Sequence, residues 1–115
     1  MSERSIAVLL DDILESIDNI LTFTLHLTFE QYSNDIKTIH AVHHNFMIIG
    51  EAVARIPEEF RLAHNQVNWK QVKGFRNVIV HDYFGIDNTI VWDIIHQNIP
   101  ELHNQITDLS NALDQ

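Results

Sequence analysis

The eight-residue run RNVIVHDY sets Arg76, Asn77, His81 and Tyr83, with Asp82 between the last two, around a short apolar stretch. Arginine supplies a permanently charged fork of donors suited to an oxyanion. Histidine titrates near neutral pH and can take up or give away a proton. Asn77 and His81 are i and i+4, so on a helix the amide can hold one imidazole nitrogen and fix its tautomer. With Val72 at 0° and about 100° per residue, Trp69, Phe75, Ile79 and Val80 mark an apolar face, and Arg76 (about 40°) and Tyr83 (about 20°) fall inside it. His81 falls at about 180° on the same wheel, about 140° from Arg76. An unpaired buried guanidinium is very costly. Arg76 must therefore snorkel out, pair with an acid, or line a cleft between subunits. For Arg76 and His81 to face one point, the helix must loosen near His81 or a second subunit must supply the complement. The β-branched run Val78–Val80 is compatible with loosening.

Other residues compete for a role. His40 and His44 have an i, i+4 spacing that can chelate a metal, with His43 between them. No cysteine exists to complete such a set, and no carboxylate stands nearby in sequence. Exposed or interface histidines explain the same pattern. Glu51, inside Ile49-Gly50-Glu51-Ala52, can pair with a base of the helix that carries Arg76. There is no Gly-rich phosphate loop and no serine or cysteine nucleophile motif.

These residues must be positioned by helices. Ile6, Leu9, Leu10, Ile13, Leu14, Ile17, Ile20 and Leu21 follow a helical spacing. Leu21, Phe23, Leu25, Leu27 and Phe29 alternate as a strand would, but a lone strand finds no partner, so the stretch reads as a helix end or loop. Thr28 with Gln31 has capping-box form. A long second helix runs from about Asp35 to Ile56, tolerates Gly50, and is stopped by Pro57. Residues 58–67 read as a connector with a short turn. Asn68 with Gln71 caps a third helix from Trp69, which Gly85 ends. Asp87 caps a fourth, kinked or divided at Pro100. The expected fold is all-α, an antiparallel four-helix bundle in one domain over residues 1–115.

Composition sets bounds. The chain of 115 residues is 45% hydrophobic, enough to bury a core. Its lack of cysteine excludes disulfides and thiol chemistry. The N-terminal stretch has acids inside its apolar run, unlike a signal peptide or membrane span. A cytoplasmic protein without membrane association is expected. The net charge of -9 opposes nucleic-acid binding as a whole, yet the charge is uneven. Residues 55–76 hold Arg55, Arg61, Lys70, Lys73 and Arg76 against Glu58 and Glu59, which is +3; the segments on either side are each -6. Scattered bases ordinarily mark a solvated helix face. Concentrated before the motif, they also fit a local anion site.

The motif and its surroundings resemble HEPN-domain proteins, specifically the HepT-like ribonuclease toxin group. That signature is Arg, a polar residue, a short apolar run, His, any residue, Tyr, and RNVIVHDY matches its spacing. The segments AVHHNFMIIGEAVARIP (41–57), NWKQVKGFRNVIVHDYFGID (68–87) and VWDIIHQNIPELHNQI (91–106) are similar to the group's second, third and fourth helices. The resemblance covers about positions 35–110; the first helix matches only in character. His43-His44 departs from the group and inherits no role. The resemblance implies a homodimer whose two motifs line one cleft, and RNA cleavage without metal or cofactor. It implies Arg76 and His81 as the catalytic pair and Asn77 as support; the local positive charge, not the resemblance, marks Lys70 and Lys73 as the expected RNA-binding residues. The resemblance further implies a nucleotidyltransferase antitoxin that transfers AMP to Tyr83. A non-catalytic scaffold binding that partner or RNA is the alternative, and a small metalloprotein using His40 and His44 is a second.

Overall fold

The apolar rows become seven helices among the described residues: α1 (Ile6–Thr24), α2 (Phe29–Ser33), α3 (Ile36–Arg55), α4 (Glu58–Ala63), α5 (Trp69–Tyr83), α6 (Asn88–Gln97) and α7 (Ile99–Leu113). The computed structural model describes residues 5–83 and 87–114, without the side chains of 81–83. The helix stop expected at Gly85 lies outside those residues. The all-α expectation is met, and no described helix is long and apolar enough to cross a membrane.

Helix starts follow from side chains that satisfy the first backbone donors. Ser5 Oγ accepts from the Val8 N–H at 3.2 Å. The Thr28–Gln31 capping box is complete: Thr28 Oγ1 accepts from the Gln31 N–H at 3.1 Å and Gln31 Oε1 from the Thr28 N–H at 2.9 Å. Asn68 Oδ1 accepts from the Gln71 N–H at 3.0 Å, and Asp87 Oδ1 from the Thr89 N–H at 2.8 Å. Both prolines punctuate as expected. Ile56, before Pro57, is extended and closes α3. Pro100 sits in the first turn of α7, where a missing N–H costs nothing, and the expected long fourth helix is divided into α6 and α7. The alternating stretch from Leu21 is the end of α1, a turn, and the start of α2. Thr24 is held helical there, its hydroxyl donating to the Ile20 carbonyl at 2.8 Å.

The core is one cluster. Leu10, Ile13, Ile17 and Ile20 of α1 meet Val42, Phe46, Ile49 and Val53 of α3, with Val72, Phe75 and Ile79 of α5 and the α6–α7 row closing around them. Helix α3 packs against both α1 and α5, while α1 also packs on α7. Asn19 Nδ2 of α1 donates to Asn45 Oδ1 of α3 at 3.1 Å, while Leu9 and Ala52 share a groove wall farther along, so these helices run antiparallel. The Phe46 and Phe75 rings meet edge to face at 5.8 Å where α3 crosses α5. Tyr32 of α2 is fully buried against Trp92 of α6, ring centroids 5.2 Å apart.

Asp35 caps α3 by accepting from the Thr38 hydroxyl at 2.7 Å and from its N–H at 3.2 Å. These bonds, the hydroxyl's first, hold the Asp35 carboxyl below its ordinary pKa. A lowered folded-state pKa stabilises the fold above the unfolded value, and that contribution disappears as pH falls through the folded one. Wild-type stability is thus expected to fall below about pH 4. Asp35→Asn keeps a capping oxygen but cannot titrate. Thermal midpoints measured against pH should show a shallower acid limb for this variant.

Candidate active site

The site is built where α3 and α5 pack closely at Gly50. Gly50 faces Arg76: a Cβ placed on Gly50 would lie 3.3 Å from Arg76 Cβ. Glycine thus lets the α5 backbone and the foot of Arg76 come in close. The arginine stem starts at the helix contact and its head runs outward, half-exposed (49%) beside an equally exposed Glu51 (51%). Arg76 Nη1 lies 3.6 Å from Glu51 Oε1. The other carboxylate oxygen of Glu51 lies 3.9 Å from Arg55 Nη2, one turn along α3.

Two of the three routes foreseen for Arg76 are therefore realised together, snorkelling and pairing, and the acid is the expected Glu51. The wheel is right about the stripe: Trp69, Val72, Phe75 and Ile79 are buried. It misplaces Val80, which at about 80° lies beyond the edge of the buried positions and is 44% exposed. An exposed ion pair contributes only about 0–1 kcal/mol. Both separations exceed the roughly 2.7–2.9 Å of a tight bidentate pair, so Glu51 aims the Arg76 fork without saturating its five donors. That geometry suits binding a second, external anion.

Asn77 is the next residue on α5 and is exposed. His81 and Tyr83 are on the same helix, their side chains outside the described residues. Loosening near His81, one of the two ways for positions 76 and 81 to face one point, is absent, since α5 stays α-helical through Tyr83. Burial of Ile79 in the core outweighs the weak helix propensity of the β-branched run. Lys70 and Lys73 are exposed on the first turns of α5 and line a groove with α4. His43 is buried at 7% exposure, whereas His40 and His44 are exposed. Among the described residues no three or more His, Asp or Glu side chains gather as a metal site. A second groove of about 410 Å³ opens between α1 and α3, with Asp12, His44 and Arg55 on its walls and Glu51 between it and Arg76.

Gly50→Ala probes the close approach. The gain in helix propensity, about 0.5–1 kcal/mol, offsets the crowding against Arg76 Cβ. Stability should change by less than about 1 kcal/mol in urea unfolding, because these opposing effects are of similar size.

Comparison with known proteins places this arrangement. The family model described as "Ribonuclease HepT-like" matches residues 13–109. The chain is 37% identical over 114 residues to "Putative RNase MJ0127" of Methanocaldococcus jannaschii, covering 99% of this chain and 94% of that protein. It is 36% identical over 107 residues to "Probable ribonuclease HepT" of Thermococcus cleftensis, covering 93% and 97%. It is 35% identical over 100 residues to "Putative RNase TTE0752" of Caldanaerobacter subterraneus, covering 87% and 89%. No solved structure matches. By the family model's match over residues 13–109 and by these relatives, similar over nearly their whole length, the chain belongs to the HepT-like ribonuclease family.

Proposed function

We propose that this protein is a metal-independent endoribonuclease, the toxin of a pair whose antitoxin is a nucleotidyltransferase. The observation that carries this reading is Arg76: a surface guanidinium aimed by Glu51 yet unsaturated, on the helix that carries His81, in a chain of a ribonuclease family. RNA brings its own nucleophile. The 2′-hydroxyl attacks the adjacent phosphorus, an imidazole takes its proton, and an acid protonates the departing 5′-oxygen. The products are a 2′,3′-cyclic phosphate and a 5′-hydroxyl. Arg76 braces the equatorial oxygens, whose charge grows in the transition state. Asn77, one turn before position 81, supports the imidazole. A homodimer in the cytoplasm brings two copies of the motif to one cleft. Two His81 side chains then serve as base and acid, and the roughly 140° between positions 76 and 81 is bridged by pairing across subunits. Lys70 and Lys73 attract the RNA.

Purified protein is incubated with RNA in EDTA to test the reading. Cleavage that survives the chelator supports the enzyme. Absence of cleavage in every condition, with the nucleotidyltransferase still bound, supports a scaffold instead.

Control by the partner follows from the same geometry. The Tyr83 phenol oxygen attacks the α-phosphate of ATP and releases pyrophosphate, leaving AMP on the tyrosine. Positions 76 and 83 are i and i+7, on one face of the helix about 10 Å apart. The new phosphate then competes for Arg76. Coexpression with the neighbouring nucleotidyltransferase should raise the chain's mass by whole AMP units. Intact-mass measurement should find no gain in Tyr83→Phe; an unchanged wild-type mass contradicts this mechanism.

A further inference from the structure

The strongest concentration of unspent positive charge lies away from Arg76. Helices α4 and α5 border a shallow, open groove of about 660 Å³ that collects Arg61, Lys70 and Lys73 with Glu58 as its one acid. Arg55 and Arg76 each have an acid beside them, Glu51, at 3.9 Å and 3.6 Å. Arg61, Lys70 and Lys73, by contrast, enter no ion pair among the described residues, and the buried Nε of Arg61 donates to no group there. A chain with 16 acids and a net charge of -9 has no shortage of internal partners for three cations. Their convergence on one concave surface separates them from an ordinary solvated helix face, where like charges spread apart.

The groove also has a direction. On the α5 wheel, positions 70, 73, 77 and 81 fall at about 160°, 100°, 140° and 180°, one face of the helix. Lys70, Lys73 and exposed Asn77 thus form a row leading from the groove to the motif, position 73 lying about 12 Å along the axis from position 81. Asn65 adds an amide to the groove, and Leu62, 72% exposed, adds apolar surface against which a base can rest.

We propose that the α4–α5 groove is a substrate exosite that grips the phosphates of single-stranded RNA a few nucleotides from the scissile bond. The choice of RNA rests on the ribonuclease reading above. A concave groove of this size admits one strand; a duplex is recognised across a broad, shallow minor groove.

The test measures anisotropy of a fluorescent single-stranded RNA of about twelve nucleotides against salt concentration. Binding to single strands loses affinity with salt at a slope of about 0.7 per phosphate contact. The double variant K70Q/K73Q should therefore lower the slope by about 1.4 and weaken binding about twentyfold at 0.1 M salt. Adding R61Q should lower both further. K37Q, which removes a charge outside the groove, should change neither. Equal slopes for wild type and the double variant overturn the exosite, as does absence of binding by the wild type. So does a double variant that binds RNA normally but no longer binds the nucleotidyltransferase, which assigns the groove to that protein. Cleavage of the same RNA is followed in parallel. Cleavage with unchanged salt slopes rejects the exosite and keeps the ribonuclease; groove-dependent binding without cleavage keeps the exosite and rejects the ribonuclease.

Discussion

His81→Ala is expected to lower RNA cleavage in EDTA by about 10²–10⁴-fold, the usual worth of a positioned general acid or base. An imidazole ordinarily titrates near pH 6.5, so it can take the 2′-hydroxyl proton in one subunit and donate to the leaving oxygen in the other. Two histidines in those roles give a bell-shaped dependence of rate on pH, since one must start neutral and the other protonated. The variant should lose the bell as well as the rate. A rate within a few-fold of wild type would remove His81 from the mechanism. A monomer cleaving as fast as the dimer would remove the shared cleft.

Arg76→Ala is expected to cost about 10²–10³-fold in cleavage, as loss of a donor to a developing oxyanion does. Its effect on stability should stay below about 1 kcal/mol, because the Arg76–Glu51 pair is half-exposed and such pairs are worth little. Urea unfolding and single-turnover cleavage of the same samples separate the two effects. Arg76→Lys should recover little of the rate, since an ammonium cannot present a planar fork to two phosphate oxygens. Glu51→Gln acts only through the aim of Arg76 and should cost less than either change. Full activity in Arg76→Lys would mean that charge alone is needed and that the geometry over Gly50 is incidental.

Much of this was legible in the sequence because the signals are local. Thr28 with Gln31, Asn68 with Gln71, and Asp87 each mark a helix start within one turn, and Pro57 and Pro100 mark interruptions the backbone cannot evade. Arg76 stood out because its charge falls in an apolar stripe, and Glu51 was within reach as its partner. What was hidden depends on docking between helices. Gly50 reads as a weak point of a long helix until α5 is laid against it, when it becomes the place where Arg76 fits. Helix α4 has no side-chain cap and only six residues, so Glu58 and Glu59 in its first turn mark a start without an extent, and without it the basic groove cannot be drawn. An apolar side chain widens the face drawn on a helical wheel whether or not a neighbour covers it, which is why Val80 counts toward the stripe and yet is exposed. The helix does not loosen near His81 because tertiary burial of Ile79 holds a segment of weak local propensity in place.

The central claim is that the RNA's own 2′-hydroxyl, assisted by Arg76 and His81 and not by a metal, breaks the phosphodiester bond. Mapping the 3′ ends left on RNA by untagged protein in EDTA tests it most directly. The account predicts 2′,3′-cyclic phosphate ends, formed in the presence of the chelator and lost in His81→Ala. Free 3′-hydroxyl ends, or cleavage that returns only when a divalent cation is restored, would contradict it.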